Sequence, residues 1–102
     1  MSHVLIVHDS ETTRSDLGRA LAAEGCTVAE AVSPADAVRE IWAGSFAAAL
    51  IGTSFPSVGG VPLEEHLRNL APEIVTMKIG KEPAVKQARK LIELLEGGAV
   101  AA

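Results

Sequence analysis

Aromatic residues are scarce in this chain of 102 residues: two phenylalanines, one tryptophan and no tyrosine make up 3%, while hydrophobic residues make up 48%. The core must therefore be aliphatic, built from Val, Leu, Ile and many Ala. Cysteine is scarcer still. Cys26 alone allows no internal disulfide and no cysteine-based metal cluster, and it fits a reducing compartment. Basic residues are outnumbered, 9 Lys and Arg against 13 Asp and Glu, which leaves a net charge of −4. That balance argues against a general nucleic-acid surface and against anionic membranes. The longest apolar run, Phe46 to Ile51, falls far short of the roughly 18 to 20 residues a membrane helix needs. No basic region precedes the first apolar run, so a signal peptide is not expected. These exclusions leave a cytoplasmic protein of one domain, with residues 1–98 forming the domain and 99–102 a frayed tail.

What is present is a strict alternation. His3 to Val7 is a short, β-branched apolar run of the kind buried on both faces of a parallel sheet. His8-Asp9-Ser10 follow, and Asp9 or Ser10 can cap the next helix. Leu17 and Leu21 mark the apolar side of a helix over Thr12 to Glu24, which Gly25 stops. Cys26 to Val32 reads as a second strand, with Cys26 a small buried hydrophobe. Ser33-Pro34 starts a second helix whose apolar positions are Ala37, Val38, Ile41 and Trp42. Ala47 to Ile51 is the central strand. It runs into Gly52-Thr53-Ser54 and then a turn holding Pro56, Gly59 and Gly60. Leu63, Leu67 and Leu70 mark a third helix, ended by Ala71-Pro72. Ile74 to Ile79 is a fourth strand and Gly80-Lys81-Glu82 a turn. Pro83 opens a last helix with Val85, Ala88, Leu91, Ile92 and Leu95 on one face, stopped by Gly97-Gly98. The order β-α-β-α-β-α-β-α predicts a parallel sheet with helices on both faces and right-handed crossovers.

The set in register resembles a bacterial response-regulator receiver domain, a CheY-like, flavodoxin-like α/β fold. The resemblance rests on Val4-Leu5-Ile6-Val7-His8-Asp9-Ser10, on Arg14, Leu17, Leu21, Gly25 and Val28, and on Ser33, Ala37 and Val38. It continues through Leu50-Ile51-Gly52-Thr53-Ser54-Phe55-Pro56-Ser57-Val58-Gly59-Gly60 and through Leu63, Leu67, Arg68 and Pro72. It covers residues 3 to 72. The departures matter as much. The resemblance implies an aspartate that accepts a phosphoryl group after Leu50-Ile51, and here that position is Gly52. It implies an acid pair that binds Mg²⁺ after the first strand, and here His8 replaces one member and leaves Asp9 as a remnant. Glycine has no acceptor atom. One carboxylate and one imidazole make a poor site for Mg²⁺, which wants hard oxygen ligands. The family's Thr or Ser after the fourth strand has Thr76 as its counterpart, and Lys78 or Lys81 stands for its lysine. The chain also counts four β-α units where receivers have five.

The readings of these residues divide accordingly. Asp9 serves as a helix cap or a solvated acid, His8 as a hydrogen-bonded filler, and Thr53 and Ser54 as turn polarity. No phosphate-loop or dinucleotide-binding glycine pattern occurs, and no catalytic constellation is present. The expectation is a four-stranded, shortened pseudo-receiver with no cofactor and no enzymatic activity. It would work by protein–protein interaction in two-component-like signalling, with a degenerate pocket of His8, Asp9, Gly52, Thr76, Lys78 and Lys81. The lost unit should leave a surface covered by self-association or by a partner signalling protein. The alternative is a small-ligand site at the strand ends among His8, Asp9, Gly52, Thr53 and Lys78.

Overall fold

A computed structural model describes the backbone of residues 2–52 and 62–101, and the side chains of residues 2–52 and 62–96. The turn expected from Thr53 to Gly60 lies outside them. The elements are β1 (His3–Val7), α1 (Glu11–Ala23), β2 (Thr27–Ala31), α2 (Pro34–Ala43), β3 (Ala48–Gly52), α3 (Leu63–Leu70), β4 (Val75–Ile79) and α4 (Ala84–Ala101). The strands form one parallel sheet in the order β2-β1-β3-β4.

Local chemistry sets the element ends. The Ser10 hydroxyl accepts the Thr13 N–H at 3.3 Å and caps α1. Gly25 closes that helix with φ of 88°, a backbone conformation that L side chains rarely adopt. Its N–H donates to the Ala22 carbonyl and the Cys26 N–H to that of Leu21, the paired bonds of a Schellman ending. Ser33 caps α2 through the Asp36 N–H, with Pro34 in the first turn.

Side-chain alternation then sorts the core into two layers. Val4, Ile6, Ala48 and Leu50 point to one face and pack with Leu17 and Leu21 of α1 and Ala88 and Leu91 of α4. Leu5, Val7, Ala49 and Ile51 point to the other and pack with Ala37 of α2 and Leu63 and Leu67 of α3. The handedness of the crossovers dictates this division. The step from β1 to β2 runs one way across the sheet, and the steps from β2 to β3 to β4 run the other way.

The same rule fixes what a five-unit sheet has and this one lacks. A crossover from β4 to a fifth strand would step as β3 to β4 does and lie on the α2/α3 face. Instead α4 packs against α1 on the opposite face. It therefore occupies the place of a terminal helix, and the absent pieces are the fourth crossover helix and the fifth strand. β4 is left at an edge.

Four local expectations are corrected. Trp42 is 75% exposed, because α2 turns Ala37, Val38 and Ile41 inward and leaves position 42 beyond that stripe. Val32 lies past the end of β2 and is exposed. Val85 is 57% exposed, and Ala84 and Gln87 take the inward places in the first turns of α4. Finally, α4 continues through Gly97 and Gly98 to Ala101. A glycine costs about 1 kcal/mol inside a helix, less than the burial of an apolar stripe such as Ala88, Leu91, Ile92 and Leu95 can offset.

Gln87 is 4% exposed and fully hydrogen-bonded. Its Oε1 accepts the Gly80 N–H at 2.9 Å, and its Nε2 donates to the Gly80 carbonyl at 3.3 Å and the Glu82 carbonyl at 2.7 Å. Replacing it with leucine keeps the bulk and leaves these backbone groups without partners, and we expect a loss of roughly 1 to 3 kcal/mol in urea unfolding. Cys26 is buried, and desolvation with the nearby Glu24 carboxylate pushes its thiol above the ordinary range. The folded state therefore holds the thiol proton more tightly than the unfolded chain. Stability from this group should be intact at neutral pH and decline as pH rises past about 8.5. Titration with a thiol reagent should show Cys26 reacting far more slowly in native protein than in denatured protein.

Candidate functional site

In an open α/β sheet, sites form outside the carboxyl ends of the strands. The register here pairs Val7 with Ile51 and with Ala31, so the chain leaves β1 at His8 directly beside Gly52. His8, Asp9 and Gly52 are thus brought together.

Their chemistry is restrained by local bonds. The His8 N–H donates to the Ala31 carbonyl at 3.1 Å, which extends the β1–β2 ladder by one step. The Ser10 N–H donates to His8 Nδ1 at 2.9 Å. Asp9 Oδ1 stands 3.2 Å from the same nitrogen. One ring nitrogen cannot accept from Ser10 and donate to Asp9 at once. The Ser10 amide is always a donor, so Nδ1 is the acceptor and the Asp9 approach is a contact rather than an ion pair. Asp9 itself is 67% exposed at its side chain.

Of the other expected residues, Thr76 stands apart from them. Thr76 pairs with Ala49, three residues below Gly52, or about 10 Å down the strand. Lys78 pairs with Ile51 near the top, but its Nζ lies 3.7 Å from Glu64 Oε1 of α3. Lys81 is exposed in the turn after β4. Thr53 lies outside the described residues.

Sequence reasoning placed Arg14 only as a match in spacing and missed its role. Its side chain is largely buried, its Nη1 donates to the His8 carbonyl at 2.7 Å, and its Nε donates to Glu30 Oε1 at 3.1 Å. It clamps the end of β1 to β2 from the first turns of α1. The signal was available in principle. Glu30 pairs with Ile6 in the ladder, and Arg14 lies one turn beyond the Ser10 cap.

A divalent cation of the Mg²⁺ type does not fit this donor set. Gly52 offers no side-chain ligand, His8 Nδ1 is engaged, and of the three residues Asp9 alone carries a carboxylate. Among the described residues, no three His, Cys, Asp or Glu side chains converge on a common point. Also among those residues, no helix is long and apolar enough to cross a membrane.

No protein-family model matches the sequence, and no curated protein matches it either. Solved structures match it closely in shape. A CheY-like response regulator receiver domain protein from Methanospirillum hungatei superposes with a TM-score of 0.82 at 16% identity, covering 100% of this chain and 99% of that one. A LuxR family DNA-binding response regulator from Silicibacter pomeroyi gives 0.80 at 17% identity over 95% of this chain and 92% of its own. A Thermotoga maritima response regulator in complex with Mg²⁺ and BeF gives 0.77 at 14% identity, over 93% and 99%. Strand order, parallel pairing, the two-faced helix layers and these superpositions together establish that the chain has the flavodoxin-like fold of CheY-like receiver domains.

Proposed function

We propose that the protein is a phosphorylation-independent pseudo-receiver, a non-enzymatic protein-interaction module in two-component-type signalling. One observation carries the reading: Gly52 stands at the carboxyl end of the central strand β3, where the receiver pattern has its acceptor aspartate. Aspartyl phosphorylation needs a carboxylate oxygen to attack phosphorus and a cation to neutralise the charge that develops. Here the first is missing and the donor set does not suit the second. Support also comes from the ordered surroundings of that position: a buried central strand, the capped α1 and the Arg14 clamp.

In a phosphorylated receiver, added charge shifts a bistable surface between two states. Without an acceptor, the surface of this domain acts constitutively or responds to binding alone. Its partners are signalling proteins rather than nucleic acid, in keeping with the acidic balance of the chain.

The test is incubation with Mg²⁺ and acetyl phosphate, followed by intact-mass analysis and a search for an acid-labile acyl phosphate. No modification is expected at any residue. A stoichiometric acyl phosphate on Asp9 or elsewhere would overturn the reading.

A further inference from the structure

The edge left by the absent fifth strand has a definite chemical shape. Val75 donates its N–H to the Ala47 carbonyl of the neighbouring strand. Backbone direction alternates along a strand, so Met77 and Ile79 also face β3, while Thr76, Lys78 and Gly80 turn their N–H and C=O groups outward. At Gly80 the outward groups are taken by the carboxamide of Gln87, which stands in for one peptide of a neighbouring strand. Among the described residues no such substitute serves Thr76 or Lys78.

The helix layer is also unfinished beside this edge. Leu94 lies seven residues after Gln87 and so on the same stripe of α4, roughly 10 Å further along. Helix rise measured against strand rise puts it level with the middle of β4, and it is 48% exposed. Val75 and Met77 are themselves only partly buried against the core.

From these features we propose that the β4 edge pairs with the β4 edge of a second copy of this chain, antiparallel, about a two-fold axis through Met77. Self-complementarity singles out this occupant. A two-fold axis at Met77 sets Thr76 opposite Lys78 of the partner copy, and Lys78 opposite its Thr76, as hydrogen-bonded pairs that exchange four backbone bonds. On one face Met77 then meets its own copy, and Val75 meets Ile79, so every apolar side chain finds an apolar neighbour. On the other face Lys78 faces a threonine rather than a second lysine, and its charge is already matched by Glu64. An exposed edge lysine normally discourages pairing, and here that charge is offset within the chain.

α4 packs against β4 as well as α1. The two-fold axis stands perpendicular to the joined sheet, so the two α4 helices lie on the same face, one on either side of the seam, and Leu94 lies on the stripe of Gln87 that borders the edge. The interface is isologous and closes after two chains. Gln87 caps the strand at Gly80 and confines pairing to the centre of the edge.

This inference rests on the β4 edge alone and not on the loss of the phosphoacceptor, so the acyl-phosphate assay and the following experiment fail independently. Light scattering on the full chain over a range of concentrations should give twice the monomer mass of 10.6 kDa. Thr76→Pro removes an outward N–H that the monomer does not use, a change edge strands tolerate. It should weaken the dimer roughly tenfold or more while leaving the circular dichroism spectrum unchanged. Leu94→Glu, at an exposed position, should do the same without touching the strand. In the wild-type dimer, hydrogen exchange should show the Thr76 and Lys78 amides protected in a concentration-dependent way. A monomer at all concentrations overturns the proposal. So does a dimer that both variants leave intact, or an open polymer.

Discussion

The pairing of β1 with β3 is the constraint on which everything else in the molecule depends. These two strands are the inner pair of the sheet, and eight of their core residues, Val4 to Val7 and Ala48 to Ile51, are buried. Each contributes side chains to both helix layers, so a slip of one residue would exchange the two cores. The small side chains of Ala48 and Ala49 sit opposite Val4 and Leu5 in the ladder. The same register sets His8 beside Gly52 and thereby defines the mouth of the candidate site. Fold and site are therefore two results of one ladder.

The inner strands were legible in the sequence because burial on both faces leaves a continuous apolar run. The helix start at Ser33 and the stop at Gly25 were legible because capping is local chemistry that a few adjacent residues decide, whereas the first helix start was narrowed only to Asp9 or Ser10, of which Ser10 is the cap. Trp42 and Val85 were misplaced for a physical reason. Helical spacing gives an apolar stripe about 100° wide and does not say which residues at its margin turn inward. Gln87 was invisible for the converse reason. A buried amide looks like a surface residue until its backbone partners, seven and five positions upstream, are folded against it.

At the site, the glycine that follows Leu50-Ile51 was plain from the sequence. How far the other residues lie from it was not. Thr76 falls too low on its strand, and Lys78 turns to Glu64 because strand alternation sends it to the α3 side of the sheet. Arg14 shows the opposite case. It looks like an ordinary polar helix residue, yet it ties two strand ends together through His8 and Glu30. The bonds that shape this mouth thus serve the fold, since each ties one strand end to its neighbour or to α1.

The position of α4 has a kinetic side. The α2/α3 face is assembled by helices that follow directly on the strands they cover. The opposite face is shared by α1 and α4, which come from opposite ends of the sequence. Docking α4 onto α1 closes a loop spanning most of the chain, and the entropy of that closure is met before any contact rewards it. Omitting a helix and a strand between β4 and α4 shortens this loop without altering its end point. The four-stranded domain thereby keeps the long-range contact between its first and last helices.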